Sequence, residues 1–398
     1  MSIQQNNAAN ARSVVIAHPS SELYGSDRVM LDTVAALVDR GWSVTVTLPD
    51  EGPLVAAVES VGGQVRRCPT PVLRKSALRP RGMLTFVGAI VSSIRPGLRL
   101  LRTVRPDVVY VSTVTVPLWF VLARMTGRGS VCHVHEAEVG APRIVRSAMA
   151  APLLLSRSIV ANSEFSLQVL TDALPRLRSR SRVVPNPVPG PPEVVPSRHE
   201  LVRPVRLLYV GRLSPRKGPQ LLVSALRTLL DDDIDAELDL LGSVFPGYEW
   251  FEDELHADVE RLGLTERVRF LGFRPVVWPE IARADIVLVP SVAAEPFGNT
   301  AVEAVLAARP VVASASGGLV EAVRGYGSAQ TVPPGETTPI AQAVARVVAD
   351  WPTFRTAAAD DAAVAADRHS PARYGELIEH ALLAVISADP TANTRGTS

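Results

Sequence analysis

The sequence predicts two α/β domains, each a doubly wound parallel sheet with helices on both faces. Three observations predict this fold class. The chain has 398 residues, more than one hydrophobic core usually supports. Short β-branched runs alternate with helical patterns, which is typical of a parallel sheet covered on both faces. The alternation stops in the proline-rich segment 184–204 and then restarts, so this segment indicates an interdomain linker.

Ten buried strands are expected, five in each half of the chain. Those in the first half are Ser13–Ala17, Ser43–Leu48, Val108–Ser112, Ser130–Val134 and Ser158–Ala161. Those in the second half are Val205–Val210, Ala236–Leu241, Val268–Leu271, Ile286–Val289 and Val311–Ala313. A last helical pattern, about 372–387, is long enough to return to the first domain. The predicted domains are therefore 1–195 and 196–370, followed by 371–398, a returning helix with a flexible tail from Asp389.

The composition indicates a cytoplasmic globular protein. Cys68 and Cys132 are the only cysteines and have no partners at metal-ligand spacing, which argues against a disulfide framework or a zinc site. Residues 1–12 contain no apolar segment, and polar residues and Pro117 interrupt the apolar run 108–123. Neither a secretion signal nor a membrane span is therefore expected.

Charge is distributed unevenly along the chain. Residues 1–195 hold 22 basic and 13 acidic side chains, a balance of +9, and the remainder holds 19 and 27, a balance of −8. A basic half usually faces an anionic partner. Ten basic residues and no acidic one lie in 66–105, at 66, 67, 74, 75, 79, 81, 95, 99, 102 and 105. Within this region, Leu84–Leu101 is apolar enough for an amphipathic helix, either resting on anionic lipid, which we favour, or solvated on the sheet.

The strongest chemical signal is the segment Glu295–Glu303, which follows the strand Ile286–Val289 and opens a helix. Glu295 lies in the loop and Glu303 about one turn inside the helix, so both are expected to face a ligand over the helix N-terminus. Backbone amides of Gly298, Asn299 and Thr300 would point the same way. A helix N-terminus with free N–H groups suits a diphosphate.

The second signal is the segment 211–218, which follows the strand Val205–Val210 and precedes another helix. Gly211 permits close approach of the backbone to a ligand. Arg212 and Lys217 supply two cations near the carboxyl end of the sheet, where they would share phosphate oxygens. Cations near a helix start oppose its dipole, which favours an anionic ligand over a merely solvated pair.

With these two motifs in this order, the chain resembles the retaining glycosyltransferases of family 4, which have the GT-B fold of two Rossmann-like domains facing across a cleft. The resemblance covers nearly the whole chain. It implies that Arg212 and Lys217 hold the donor diphosphate, that Glu303 binds the ribose hydroxyls, and that Glu295 and Phe297–Thr300 contact the donor sugar. The first domain would bind the acceptor and the second the nucleotide sugar, with base selection resting on contacts around Gly242 and Arg274.

The resemblance is weaker in the first domain. The loop 20–27 corresponds to a glycine-containing loop that approaches the diphosphate and the acceptor, with Gly25 as its only glycine where relatives often carry a pair. His135 would lie beside the donor sugar, whereas His133 is expected in the core on the opposite face. Asn162-Ser163 and the segment 186–188 also resemble family positions.

These features predict a retaining transferase that moves a sugar from a nucleotide-diphosphate sugar to a hydroxyl, in cell-envelope or exopolysaccharide assembly. His135, Arg212, Lys217 and Glu295 are the predicted catalytic residues. Since breaking the sugar–diphosphate bond leaves negative charge on the phosphate, preorganised cations and amides are the main need, and no cofactor, metal or protein nucleophile is required. The acidic run Asp231–Asp235 lies between a helix and a strand and is expected to be a solvated turn rather than a metal site.

The expected partners are a nucleotide-sugar donor, a glycan or lipid-linked acceptor and an anionic membrane surface on the inner face of the plasma membrane, with no nucleic acid. Three alternatives remain. The first is a GT-B epimerase or phosphorylase that would reuse the diphosphate site, and the second is a non-catalytic sugar-nucleotide-binding scaffold. The third is a dinucleotide-dependent dehydrogenase, which lacks support because no Gly-x-Gly-x-x-Gly turn follows Ser13–Ala17 or Val205–Val210.

Overall fold

The computed structural model describes residues 12–23, 25–73 and 80–388. The chain divides into two compact units. Unit 1 comprises Met1–Pro187 and Pro371–Ser398, and unit 2 comprises Val188–Ser370. The first division thus falls at 187/188 rather than at 195/196, and the second falls at 370/371, where the sequence analysis also placed it.

Unit 1 is a seven-stranded parallel sheet with helices on both faces, in the strand order β3-β2-β1-β4-β5-β6-β7. Its strands are β1 Ser13–Ala17, β2 Ser43–Leu48, β3 Gln64–Arg67, β4 Val108–Val111, β5 Gly129–Val134, β6 Ser158–Ala161 and β7 Ser181–Val183. Its first six helices are α1 Gly25–Asp39, α2 Pro53–Ser60, α3 Pro80–Val104, α4 Leu118–Met125, α5 Arg143–Ala150 and α6 Glu164–Ala173. The order reverses between β1 and β4, which makes this the switch point of the sheet.

Unit 2 is a six-stranded parallel sheet in the order β10-β9-β8-β11-β12-β13. Its strands are β8 Val205–Val210, β9 Ala236–Leu241, β10 Val268–Gly272, β11 Ile286–Val289, β12 Val311–Ser314 and β13 Ala329–Val332. Its helices are α7 Pro219–Asp231, α8 Glu249–Arg261, α9 Trp278–Arg283, α10 Asn299–Leu306, α11 Leu319–Ala322, α12 Thr337–Ala349 and α13 Trp351–Arg368. Its switch point lies between β8 and β11.

Alternation along the strands divides each unit into two apolar cores. In β1, Val14 and Ile16 pack in one cluster with α1 and α2, whereas Val15 and Ala17 pack in the other with α3 and α4. The last helix, α14 (Pro371–Ser387), joins the first of these clusters through buried residues such as Ile378 and thereby returns to unit 1. Because every strand of both sheets is parallel, the carboxyl ends of each sheet share one edge.

The segment from 188 to 204, most of the predicted linker, is fixed to unit 2 by hydrogen bonds. Arg309 is buried and donates to the carbonyl oxygen of Val195 at 2.9 Å, and Ser197 donates to that of Ala308 at 2.7 Å. Trp351 donates to the carbonyl oxygen of Arg198 at 3.0 Å. The prolines prevent ladder pairing, as predicted, but side chains of unit 2 satisfy the segment instead.

The predicted amphipathic helix is present and is longer than 84–101. The C-terminal part of α3 packs on unit 1, where Leu101 is buried. Its N-terminal part exposes apolar side chains: Met83 52%, Leu84 75%, Val87 50% and Val91 63%. Within Arg81–Val104, one window of 18 residues has a mean hydropathy of 1.3 and is 17% buried, so by length and composition alone this helix is apolar enough to cross a membrane, although no span was expected. Arg74, Lys75 and Arg79 of the basic region lie outside the described residues.

Candidate functional site

The two sequence motifs meet at the switch point of the unit 2 sheet. The segment 211–218 follows β8 and the segment 290–298 follows β11, and these strands pair directly. The backbone amides of Val292 and Ala293 donate to the carbonyl oxygen of Arg216, at 2.9 and 3.2 Å. A Cβ on Gly218, whose φ is +77°, would lie 2.2 Å from the carbonyl oxygen of Pro290. The close approach of the two loops therefore requires glycine at this position.

Lys217 and Glu295, which are 78 residues apart in sequence, form an ion pair at this edge. The Lys217 ammonium donates to Glu295 Oε2 at 2.8 Å, and the side chains are 39% and 12% exposed, respectively. The amide of Gly318 donates to the carbonyl oxygen of Glu295 at 2.7 Å and fixes its backbone. A mostly buried carboxylate thus orients a cation that remains open to solvent, as the binding of an anionic ligand would require.

Arg212 lies in the same loop as Lys217 and stacks on an aromatic ring. Its guanidinium carbon lies 3.2 Å from the centroid of Phe245. The buried Tyr209 donates to the carbonyl oxygen of Arg212 at 2.6 Å. Burial, and secondarily the nearby charge of Glu295, raises the pKa of Tyr209, which therefore stays a neutral donor.

Gly242 follows β9 and packs directly against Gly211. A Cβ on Gly242, whose φ is +146°, would lie 1.8 Å from the carbonyl oxygen of Gly211. The Gly211 amide donates to the carbonyl oxygen of Leu241 at 2.9 Å. The backbones after β8 and β9 therefore leave no room for a side chain between them.

The predicted helix start is observed at α10, which begins at Asn299. Gly298 precedes it with a φ of +147°, Thr300 is half-buried in the first turn, and Glu303 is half-buried one turn inside. The Phe297 side chain is buried in the core and meets the ring of His369 edge-on at 5.8 Å. Only the backbone of Phe297 is therefore available to a ligand at this edge.

Two histidines lie at the carboxyl edge of the unit 1 sheet, His18 buried and His135 half-buried. His135 follows β5, and burial, reinforced by the charge of His18, lowers its pKa to about 3. Its Nε2 is buried and has no hydrogen-bond partner among the residues that the structure describes. His135 is thus neutral near pH 7, and its Nε2 is available for a hydrogen bond to a ligand.

His133 is in the core, as predicted, but the prediction that it lies on the opposite face from His135 is wrong. The two rings are in contact, with centroids 3.9 Å apart and planes tilted by 41°. The reason is the period of two along a strand, which places residues 133 and 135 on the same side. Burial lowers the pKa of His133 well below its usual value, and His133 Nδ1 is hydrogen-bonded to the Tyr110 hydroxyl.

His18, which immediately follows β1, was not among the predicted site residues. Its Nε2 lies 2.9 Å from Asp27 Oδ1 and its Nδ1 lies 2.6 Å from Ser112 Oγ, with all three side chains buried. A carboxylate oxygen accepts, so His18 Nε2 is the donor in its pair with Asp27. The available signal was a histidine directly after a predicted strand, with an aspartate at the start of the next helix.

The other predicted residues of unit 1 have different environments. Gly25 is exposed, and a Cβ there would meet nothing within 4 Å. Glu136 accepts from the Thr113 hydroxyl, and burial raises the pKa of its carboxyl, an effect that this hydrogen bond opposes. Asn162 is buried, and the side chain of the adjacent Ser163 accepts from the Ser166 amide as the N-cap of α6.

Two family sequence patterns match the chain. The pattern described as Glycosyl transferases group 1 matches residues 204–350, and the pattern described as Glycosyltransferase Family 4 matches residues 24–190. Together they include the motifs of unit 2 and both His133 and His135. The chain belongs to the group 1 glycosyltransferases of family 4.

Curated relatives of this family 4 chain match it over about a third of its length. The D-inositol 3-phosphate glycosyltransferase of Corynebacterium glutamicum is 41% identical over 133 residues, 32% of each chain. An uncharacterized glycosyltransferase of Methanocaldococcus jannaschii is 37% identical over 147 residues, 36% of each chain. These alignments span about a third of the length of either relative.

Solved structures extend the likeness to almost the whole family 4 chain and show the GT-B fold. HepE of Anabaena, in complex with UDP and glucose, has a TM-score of 0.76 at 23% identity, covering 93% of this chain and 99% of HepE. Sucrose-phosphate synthase of Thermosynechococcus elongatus has a TM-score of 0.73 at 17% identity, covering 95% and 100%. At these identities the likeness concerns the fold alone.

The acidic run of this family 4 chain lies at a surface turn between α7 and β9. Asp231 pairs with Arg227 at 2.7 Å and is 64% exposed. Asp235 pairs with Arg267, and Asp233 has a φ of +59° in the turn itself. The interpretation of this run as a solvated turn is confirmed.

Proposed function

We propose that this chain is a retaining glycosyltransferase that moves a sugar from a nucleotide-diphosphate sugar to a hydroxyl. The Lys217–Glu295 pair carries the proposal, because it leaves a solvent-open cation at the switch point, beside the N-terminus of α10. Complexes of HepE with UDP and with UDP-glucose support a nucleotide-sugar donor.

In this proposal the unit 2 edge stabilises the leaving diphosphate. Lys217, Arg212 and the amides at the start of α10 face the charge that develops on the phosphate as the sugar–oxygen bond breaks. Glu303 accepts hydrogen bonds from the ribose hydroxyls of the nucleotide. Glu295 holds Lys217 in place and receives hydrogen bonds from hydroxyls of the donor sugar.

The acceptor hydroxyl attacks from the face that the diphosphate leaves, so the anomeric configuration is retained. The departing phosphate oxygen takes the hydroxyl proton. His135, neutral because of its low pKa, supplies a hydrogen bond to a sugar hydroxyl without adding positive charge near the forming oxocarbenium. This scheme uses no metal or other cofactor. We therefore expect the rate of sugar transfer to be unchanged in EDTA.

The proposal includes a cytoplasmic location with contact to an anionic membrane through α3. Arg95, Arg99 and Arg102 are exposed on the helix that also exposes Leu84 and neighbouring apolar residues. Because the C-terminal part of α3 is packed on unit 1, the proposal places the helix along the membrane surface rather than across it. A lipid-linked or glycan acceptor of the cell envelope fits this position.

A turnover assay tests the activity. The protein would be incubated with UDP-, GDP-, ADP- and dTDP-sugars, with donor hydrolysis and transfer to lipid or glycan acceptors followed by NMR, which also reports the anomeric configuration. We expect turnover of one donor class, an α-linked product from an α-linked donor, and strong loss in His135→Ala. An inverted product would contradict retention. Nucleotide binding without turnover would favour the scaffold, and an epimerised donor would favour the epimerase.

A further inference from the structure

We infer that three arginines of unit 1, Arg143, Arg146 and Arg178, bind the phosphate of an amphiphilic acceptor. They line one cavity of about 530 Å³ between α5 and the end of α6. The residues in its wall are Arg143, Arg146, Thr171, Asp172, Pro175 and Arg178. The acceptor role rests on the proposed function, whereas the phosphate site itself does not.

Among the residues that the structure describes, the three guanidinium groups have no ionic partner. Within the described part of the chain, none of them has a carboxylate within ion-pair distance, and Asp172 in the same wall pairs with none of them. Arg146 Nε is buried and makes no hydrogen bond to any described residue. A buried donor without a partner is costly, so this nitrogen points to a ligand.

Charge favours a phosphate over a neutral ligand. Three guanidinium groups and one carboxylate give the cavity wall a balance of +2. Arginine presents a planar fork of donors that matches phosphate oxygens bidentately, which makes it the usual residue for this group. The other arginine-rich cavity, in unit 2, differs because Arg206, Arg269, Arg274 and Arg283 there pair with carboxylates.

An apolar cavity adjoins the arginine cavity and shares Arg146 with it. Its volume is about 190 Å³ and its wall is mainly apolar, with Met149, Val169 and Leu170 between the two helices. Glu136, after β5, lies in the same wall, so the cavity reaches the carboxyl edge of the sheet. An apolar segment of a ligand would be buried here while its phosphate meets the arginines.

The positions of these cavities indicate where each part of the acceptor would bind. The carboxyl edge near Glu136 would receive the reacting hydroxyl, the apolar cavity the middle of the molecule, and the arginines the phosphate. Eight residues of α6 separate Glu164, at the edge, from Asp172, which corresponds to about 12 Å. Nucleic acid fits less well, because single strands need aromatic stacking and, among the described residues, the large exposed aromatics all lie in unit 2.

Direct binding without donor tests the site. Calorimetry would compare the binding of dihexanoyl phosphatidic acid, below its micellar concentration, with that of inorganic phosphate to the 398-residue chain. We expect the lipid phosphate to bind at least about tenfold more tightly, and R143A/R178A, which alters exposed side chains only, to weaken both by about tenfold or more. R176A, on the same short 3₁₀ segment but outside the cavity wall, is the matched control and should bind as wild type does.

Each outcome has a defined meaning. Equal binding by wild type and R143A/R178A would overturn the phosphate site, and equal affinity for phosphate and lipid phosphate would overturn the amphiphile. R143A/R178A could lose co-sedimentation with phosphatidic acid vesicles and still glycosylate a soluble phosphorylated acceptor at the normal rate. In that case the arginines bind the phosphate of a membrane headgroup, and the acceptor role fails. A retained nucleotide-induced thermal shift in this variant separates any of these failures from failure of the donor site.

Discussion

The carboxyl edges of the two sheets share one strand topology but carry different kinds of side chain. In unit 2 the edge holds charged groups, with Lys217 paired to a mostly buried Glu295 and glycines at 211, 218, 242 and 298 that bring loops together. In unit 1 the edge holds buried, hydrogen-bonded His18 and a neutral His135. The fold thus supplies only a place where loops converge, and the residues after each strand decide which ligand suits it.

The largest expected effect comes from removing the cation of unit 2. Lys217→Ala should lower the transfer rate about 10²- to 10³-fold, because a preorganised charge on the leaving phosphate is lost. Arg216→Ala is the matched control, since Arg216 is exposed on the same loop and contributes its backbone carbonyl to the contacts with Val292 and Ala293. Steady-state kinetics on both variants measure the difference. Similar losses in the two would show that loop integrity, not the ammonium, matters.

The glycines of the two units should also behave differently. Gly242→Ala forces a Cβ into the carbonyl oxygen of Gly211, which cannot move independently, so the free energy of unfolding should fall by about 3 kcal/mol or more. Gly25→Ala, in open space, should leave it unchanged or raise it by about 0.5 kcal/mol. Urea denaturation provides both values. A higher KM in Gly25→Ala at unchanged stability would support close ligand approach there.

Protonation should affect the stability of unit 1 through His135. Its pKa is about 3 in the folded protein and about 6.5 unfolded, so between these values the unfolded state binds the extra proton. Stability contributed by the neutral ring is therefore complete above pH 6.5 and falls as pH decreases, by about 2 kcal/mol from pH 7 to pH 5.

The measurement is the difference between wild type and His135→Asn in urea denaturation at several pH values. This difference removes the contribution of Asp32, whose burial raises its pKa to about 6 and acts in the opposite sense, and it reports His135 together with its effect on the neighbouring His133. Parallel pH dependences in the two proteins would mean that His135 titrates normally.

The smallest expected effect concerns α3. Val87→Asp should reduce co-sedimentation with phosphatidylglycerol vesicles by about fivefold, because it places a negative charge on the apolar face, at about 1 kcal/mol per charge. Val364→Asp is the matched control: Val87 and Val364 are each 50% exposed, but Val364 lies on α13 of unit 2. Equal reductions would argue against a specific role of α3.

Much of the fold was predictable because the buried strands carry a strong signal. All ten predicted strands are observed, with ends shifted by one residue at most. The missed strands are β3, β7 and β13, which lie at or near sheet edges and have few buried residues, so no apolar run marks them. The local sequence of these three strands gives a weak signal, because pairing with a single neighbouring strand stabilises them.

The candidate site was predictable in unit 2 and only in part in unit 1. Lys217 and Glu295 lie in loops whose glycines and following helices are visible in the sequence, although their ion pair is not. His18 acquires its role from Asp27 and Ser112, which α1 and β4 bring together, and Arg143 and Arg178 converge only through the packing of α5 with the end of α6. Such groupings depend on tertiary contacts that no local motif records.

The most direct test of the central claim is a thermal shift series with UDP, GDP, ADP and dTDP, each beside its nucleoside, on wild type, Lys217→Ala and Arg216→Ala. If the unit 2 edge binds a diphosphate, one nucleotide at about 100 times its Kd should stabilise wild type and Arg216→Ala by about 2.7 kcal/mol, its nucleoside much less, and Lys217→Ala should lose most of the shift. No shift with any diphosphate, or an equal shift in Lys217→Ala, would contradict the claim.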